Sequence, residues 1–517
     1  MVSDVDEGTA SSEPLLATMS GHNNDYNLEM QPSPSTETPY TDDAQPKGPD
    51  VSTTLRPVVT NVTEVSEGFP DQQYTVYKRR FFGLGVLVLL NIVASWDWLT
   101  FSAVSSTSAQ YFKVSETSIN WLSTGYLFAF VFASPFTMWT LNKGGPKASI
   151  ITAASLTLVG NWIRYAGSRT ADHGFGIVIF GQVIIGMAQP FCLAAPTRYS
   201  DTWFSDAGKV SATAAASLAN PLGGALGQLI GPIWVSAAAD IPNMVLYTAI
   251  ISSVACVPAF FVPARPPTPP SATSVAAKLH FRESFSALAS NTSFYLILVP
   301  FAIYVGLFNS FSSLINQIVE PYGLSETEAG IAGGILIVVG LVTSAIVSPI
   351  IDRTKAYLVA IRVCVPLIAI GYLIMVFVPQ TGSPVAVYIV CGLIGAASFA
   401  LLPCALEYMV ELTHPVSPEI SSVVCWASSQ LLGAVFIIVM GDMKGGWANQ
   451  PAGTLKTALI FEAVLACAAL PLPLMLGWIR SQESDVVRGA TKRFVRAFDR
   501  SRGSRGENDV GEGPSGS

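Results

Sequence analysis

Charge is what this chain has least of. Only 12% of its 517 residues are Asp, Glu, Lys or Arg, half are hydrophobic, and the mean hydropathy is +0.47. No soluble core of ordinary composition fits those figures, so a polytopic membrane protein is expected. Histidine is also scarce, at four residues. The seven cysteines (Cys192, Cys256, Cys364, Cys391, Cys404, Cys425 and Cys467) fall singly in apolar segments, with no CxxC and no His-Cys cluster. Neither a metal centre nor a disulfide framework is indicated, and no cofactor is expected. No phosphate loop, zinc signature or nucleophile-base constellation occurs, which argues against an enzyme. The formal charge of −7 says nothing about partners, because acids crowd the N-terminal tail while the C-terminal tail is basic.

What is present is an internal repeat. Val114-Ser115-Glu116-Thr117 recurs as Leu324-Ser325-Glu326-Thr327, and Asn142-Lys143 recurs as Asp352-Arg353, both at an offset of 210 residues. In each unit a polar loop opens an apolar helix of membrane-spanning length, which ends at a loop carrying an acid or amide followed by bases. Matched polar residues are harder to obtain by chance than matched apolar ones, and a membrane protein built from two such units reads as a transporter.

Apolar stretches of about 20 residues, enough to cross ~30 Å of hydrocarbon, begin near Phe81, Ser118, Lys147, Phe175, Lys209 and Met244, and again near Phe294, Glu328, Tyr357, Pro384, Ile420 and Thr457. The expected fold is an all-α membrane protein of twelve transmembrane helices in two six-helix halves. Its expected divisions are a disordered cytoplasmic tail (1–76), an N-terminal half (77–263), a cytoplasmic linker (264–293), a C-terminal half (294–479) and a basic cytoplasmic tail (480–517). The linker starts with the stiff run Pro266-Pro267-Thr268-Pro269-Pro270. Placing both termini in the cytoplasm puts 23 of the 28 Lys and Arg on that side, leaving Lys113, Arg164, Arg169, Lys444 and Lys456 opposite. The sequons at Asn61 and Asn291 then lie where glycosylation is not made. The N-terminal tail shows no secretory signal, and Glu13-Pro14-Leu15-Leu16 matches a dileucine sorting signal for an internal membrane. A plasma membrane or a vacuolar or lysosomal membrane is therefore expected. In the C-terminal tail, Val487, Phe494 and Phe498 recur among Arg488, Lys492, Arg493, Arg496 and Arg500, the pattern of a helix lying on an anionic leaflet.

Trp96-Asp97-Trp98 in the first span is the sharpest local signal. A carboxylate at that depth costs about 2.5 to 3.5 kcal/mol, so it must face a cavity, a ligand or a polar neighbour. An indole beside an acid suits a desolvated organic cation; the competing reading ties Asp97 to neighbouring helices and makes the tryptophans packing. At about 100° per residue, at most one indole shares a cavity with the acid. Gln189 before Pro190 in span four and Gln430 in span eleven need partners at membrane depth, either across helices or from a ligand. Tyr304, Asn309, Asn316 and Gln317 make span seven similarly polar. Gly223, Gly227 and Gly231 recur at a spacing that lets another helix approach closely. Glu407 and Glu411, one turn apart at the inner end of span ten, suit a gate better than a mid-membrane site.

The two-half plan with acid-and-base loops after spans two and eight resembles the major facilitator superfamily. Asp352-Arg353-Thr354-Lys355 is similar to its gating motif, which implies that Asp352, Arg353 and Lys355 help close the cytoplasmic side; Asn142-Lys143 is the divergent first copy. Longer strings over residues 78–479 resemble the feline leukaemia virus subgroup C receptor-related transporters: Ile119-Asn120-Trp121-Leu122-Ser123, GQVIIGMAQPF in span four, Trp203-Phe204 with NPLGG, the PPTPPSA linker, and EYMVELTHP followed by Ser428-Ser429-Gln430. The Asn-Pro-Leu-Gly and Asp-Arg-Thr-Lys runs look closest to the branch called major facilitator superfamily domain-containing protein 7. That resemblance implies alternating-access transport of choline-like amines, with haem export also linked to the group. It also implies that Trp98, Gln189 and Gln430 surround the ligand. The sequence departs where Asp97 replaces an uncharged residue and where the span-seven aromatic appears as Phe301 or Asn309, with Tyr304 as a substitute. The alternatives are a haem or porphyrin exporter, proton-coupled drug or metabolite efflux with Asp97 as proton carrier, and a non-transporting receptor or sensor. The expected partners are a small-molecule substrate and the lipid bilayer, without nucleic acid, and the chain is expected to act as a monomer.

Overall fold

The computed structural model describes residues 75–170, 174–268, 270, 288–289, 291–354, 356–413, 418–444 and 453–475. Most of the N-terminal tail, much of the linker, Lys355 and the basic C-terminal tail lie outside them, as does the expected surface helix. The described residues form an all-helical protein. Among them, nine helices are long and apolar enough to cross a membrane.

The N-terminal set comprises α1 (Arg80–Leu99), α2 (Ser105–Phe112), α3 (Glu116–Ser168), α4 (Gly174–Leu193), α5 (Ala195–Trp203), α6 (Asp206–Trp234) and α7 (Ile241–Cys256). The C-terminal set comprises α8 (Thr292–Val319), α9 (Glu326–Thr354), α10 (Tyr357–Met375), α11 (Pro384–Thr413), α12 (Pro418–Asp442) and α13 (Lys456–Ala469). The second and third spans expected from sequence lie end to end within α3, and the fifth is α6. Within α3 the backbone leaves helical geometry at Gly145 (φ 69°, ψ −171°), a left-handed-side conformation that residues with a Cβ rarely adopt. The break falls just after the Asn142-Lys143 loop.

The repeated Ser-Glu-Thr segments are both helix starts. Ser115 accepts a hydrogen bond from the Ser118 amide at 3.2 Å and opens α3. Ser325 and Glu328 form a reciprocal capping box at the start of α9, with the Ser325 amide donating to Glu328 Oε2 at 2.8 Å and the Glu328 amide donating to Ser325 Oγ at 3.3 Å. Each side chain satisfies an amide that the first helical turn leaves unpaired. Asn142-Lys143 and Asp352-Arg353 lie toward the other ends of the corresponding helical segments.

Within the sets, α3 packs along α4, α1 along α6, α9 along α11 and α8 along α12; between them, α6 meets α9 and α3 meets α12. The small-residue stripe of α6 explains its fit to α1. A Cβ on Gly223 would run into the Ile92 carbonyl, and one on Gly227 would lie 3.0 Å from the Trp96 carbonyl oxygen. At the end of the fold carrying α2, polar groups join the two sets. Ser106 Oγ and Thr107 Oγ1 donate to Glu326 at 2.7 Å each, and the Thr107 amide donates to it at 3.1 Å. Glu326 thus places its carboxylate at the N-terminus of α2, where unpaired amides attract negative charge. Gln317 donates to Asn120 at 2.7 Å, Gln228 to the Ser312 carbonyl at 2.7 Å and Ser105 to Asn316 at 3.0 Å. Lys444 pairs with Glu116 at 2.6 Å.

Candidate functional site

The three residues of Trp96-Asp97-Trp98 leave α1 in three directions, as the helical step requires. Trp96 stacks on Trp234 with ring centroids 5.8 Å apart. Trp98 joins an apolar cluster with Tyr126, Leu127, Ile185 and many residues of the C-terminal set. Asp97 turns inward among N-terminal helices. Its Oδ1 accepts from Arg164 Nη2 at 2.6 Å, and its Oδ2 accepts from Asn161 Nδ2 at 2.6 Å.

This arrangement corrects two expectations. Asp97 does not stand free to meet a cation, because Arg164 neutralises it in the same fold. Arg164, expected among the few charges on the far side, is a fully buried residue within α3. Beyond the ion pair, Arg164 donates to Gln182 Oε1 at 2.8 Å, Asn161 Oδ1 at 2.7 Å and the Asp97 carbonyl at 3.2 Å. Gln182 also donates to the Asp97 carbonyl at 2.9 Å. A charge pair this dry persists only when nearly every donor and acceptor is used. Sequence reasoning missed the pair because Arg164 sits near a helix end, where charge counting assigns it to solvent. The signal available was Asn161 and Arg164 three residues apart on one apolar helix face.

Five other expected site residues separate into partnered and unpartnered groups. Asn309 of α8 donates to Gln430 Oε1 of α12 at 2.9 Å; both are buried. Tyr304 gives its hydroxyl proton to the Ala466 carbonyl of α13 at 2.9 Å, so its hydroxyl serves helix packing. By contrast, the Trp98 indole N–H and Gln189 Oε1 are buried with no hydrogen-bond partner among the described residues. A buried polar atom left unpaired costs about 1–3 kcal/mol, and these two are among twelve such side-chain atoms in the described residues. The donor and the acceptor lie in helices α1 and α4 of one set, and the amide pair lies in α8 and α12 of the other.

The expected gate residues are mostly away from this region. Asn142 and Lys143 are exposed before the Gly145 break, with Lys143 Nζ 5.2 Å from the Trp139 ring centroid. Arg353 and Glu407 are exposed. The side chains of Asp352 and Glu411, together with all of Lys355, lie outside the described residues. Sequence reasoning did not anticipate the polar contacts at the α2 end. Their signal was the polar content of Asn316 and Gln317 opposite the first copy of the repeat.

Residues 87–437 match the model of the Major Facilitator Superfamily. The zebrafish (Danio rerio) solute carrier family 49 member A3 is 33% identical over 375 residues, covering 71% of this chain and 79% of that protein. The cat (Felis catus) choline/ethanolamine transporter FLVCR1 is 28% identical over 444 residues, covering 82% of this chain and 79% of the relative. Among solved structures, a D-xylose-proton symporter matches with a TM-score of 0.60 at 14% identity, over 77% of this chain and 97% of its own. An inward-facing bacterial homologue of the lysosomal transporter Spinster matches at 0.59 and 15%, over 78% and 98%. These two likenesses concern the fold alone. On the superfamily match and the extent of the curated relatives, this chain belongs to the Major Facilitator Superfamily and, within it, to the feline leukaemia virus subgroup C receptor-related transporters.

Proposed function

We propose that the protein carries a small organic cation of the choline or ethanolamine type across a membrane by alternating access of two six-span halves, twelve spans in all. The observation that carries this reading is the pair of unsatisfied buried groups, Trp98 Nε1–H and Gln189 Oε1, in a protein whose relatives include choline/ethanolamine transporters. An amino alcohol supplies what that pair lacks. Its hydroxyl both accepts and donates, and its ammonium is attracted to an aromatic face. Gln430 and Asn309 offer the facing polar surface from the other half. Asp97 has no part in this site, since its charge is already matched.

The same reading gives the polar contacts at the α2 end the role of a closed gate. Glu326, Gln317, Gln228 and Lys444 hold the halves together there, while the opposite end opens to release cargo. Closing that opposite end would fall to the Asn142-Lys143 and Asp352-Arg353-Thr354-Lys355 loops with Glu407 and Glu411. Both termini are placed on the cytoplasmic side.

The test is binding of choline to purified Trp98→Ala. Loss of a desolvated indole face should weaken binding by about 2 kcal/mol, roughly thirtyfold, and Trp98→Phe should recover part of it. Equal affinity in parent and Trp98→Ala would move the cation site elsewhere.

A further inference from the structure

Glu462 is the one acid of α13, and sequence reading passed over it. Its side chain is fully buried, at the second turn of a helix whose sequence is otherwise apolar after Lys456 and Thr457. Among the described residues, no Lys, Arg or His forms an ion pair with it. Its Oε1 lies 3.1 Å from Ser310 Oγ, and its Oε2 has no partner. The contrast with Asp97 is direct: one half of the protein matches its buried carboxylate with a guanidinium, and the other half matches its own with a hydroxyl.

The protons at Ser310 decide the state of this acid. Ser310 Oγ lies 3.0 Å from the Leu307 carbonyl oxygen and 3.1 Å from Glu462 Oε1. A serine hydroxyl has one proton to give, and donation back to the carbonyl of the preceding turn is its usual use within a helix. Both contacts are satisfied together only if Glu462 carries a proton and donates it to Ser310 Oγ. The remaining titratable groups facing the acid do not supply a countercharge. Among the described residues they are Tyr372 of α10, whose buried hydroxyl has no hydrogen-bond partner there, and Tyr304 of α8, whose hydroxyl is given to Ala466. Cys391 of α11 lies near Tyr372. Among the described residues no group of three or more His, Cys, Asp or Glu stands together to hold a metal cation, whereas a proton needs no such set.

We propose that Glu462 is a proton-carrying site that couples proton movement to transport through α8. The route is one residue long. Ser310 touches Glu462, while its neighbour Asn309 holds Gln430 of the proposed substrate site, and Ser312 accepts from Gln228 of the other half. A proton arriving at or leaving Glu462 changes which hydrogen bond Ser310 makes. The helix that lines the substrate site and grips the other half therefore feels the change. A bare carboxylate left by proton release draws the Ser310 hydroxyl proton, 3.1 Å away, off the Leu307 carbonyl, and it leaves the nearby Tyr372 hydroxyl, which has no partner among the described residues, an acceptor to turn toward. Bond making and breaking is confined to one O–H, and the proton passes to water when the surrounding helices part.

The coupling to cargo rests on the proposed amine site, so two measurements separate the claims. The first needs no substrate. The infrared spectrum of full-length protein in lipid, compared with Glu462→Gln at neutral pH, should show a protonated-carboxyl C=O band that the variant lacks and that shifts in Ser310→Ala. A variant that instead loses carboxylate bands would show Glu462 ionised and overturn the proposal. The second uses radiolabelled choline in proteoliposomes. With one proton per cycle, a one-unit pH gradient should drive about tenfold accumulation or depletion in the parent. Glu462→Gln should equilibrate choline without regard to the gradient. Parent flux indifferent to the gradient would overturn coupling. Choline that does not move at all would count against the amine reading, and the infrared band would still decide the proton site.

Discussion

Removing Arg164 tests whether Asp97 is structural. In the parent, Arg164 gives Asp97 a 2.6 Å ion pair and also spends donors on Gln182, Asn161 and Thr248. Arg164→Met keeps the length of the side chain and removes all of these. The Asp97 carboxylate then retains Asn161 at 2.6 Å and Ser252 at 3.5 Å, two neutral donors where an ion stood. Breaking a buried pair from one side costs about 3–5 kcal/mol, because the surviving charge is stranded. Asp97→Leu should cost a similar amount by stranding the guanidinium. The double variant should recover most of either loss, since removing both charges together is often close to neutral, giving a coupling energy of about 3 kcal/mol. Reversible unfolding in mixed detergent micelles measures each corner of the cycle. A structural role for the pair is refuted if Arg164→Met unfolds no more readily than the parent, or if the two substitutions add without coupling. It also fails if Asp97→Asn loses choline while a neutral ligand still binds and the unfolding midpoint stays put, for then the carboxylate serves cargo.

Gly223→Ala should destabilise the protein by at least 1 kcal/mol, because its methyl meets the Ile92 backbone rather than a side chain that can step aside; an unfolding midpoint equal to the parent's would contradict the tight α1–α6 approach. Glu326→Gln should loosen the α2 end, since the new amide cannot accept from Ser106, Thr107 Oγ1 and the Thr107 amide as the carboxylate does. Increased labelling of a cysteine placed at Thr107 would show it, and unchanged labelling would deny the gate role. Exchanging the charges of the partly exposed pair, Glu116→Lys with Lys444→Glu, should return most of what either single change loses, although the pair itself is worth under about 1 kcal/mol. A tag placed before Tyr77 should be inaccessible from outside intact cells, and labelling there would reverse the proposed orientation.

The repeat was legible because polar residues are rare at membrane depth, so Ser-Glu-Thr at two helix starts stands out against an apolar background. Helix positions followed from hydropathy, and among the described residues nine helices are long and apolar enough to cross a membrane, while α3 and α6 cover three further stretches expected as spans. The environment of Asp97 was not legible. Its partner lies 67 residues away, and nothing local distinguishes a carboxylate that meets a guanidinium from one that meets a ligand. Glu462 was hidden for a related reason: a single acid early in the last span reads as an end residue until its neighbours Ser310 and Tyr372 are placed beside it. The pairing of Asn309 with Gln430 shows the opposite case, where two amides singled out separately for their cost at depth turn out to meet that cost with each other.

The fan of Trp96, Asp97 and Trp98 makes α1 intolerant of any change in length. Inserting one alanine between Leu90 and Trp96 would leave the segment as apolar as before and still long enough to cross a bilayer. It would also turn everything downstream by about 100° and lift it by about 1.5 Å. The carboxylate would swing away from Arg164, and an indole would take its place against the guanidinium. The helix would pass every test of hydropathy and fail in its surroundings. An indel scan through α1 should therefore show a sharp boundary, with insertions tolerated before Arg80 and rejected from Leu87 to Thr100, where the side chains are bound to three separate neighbours.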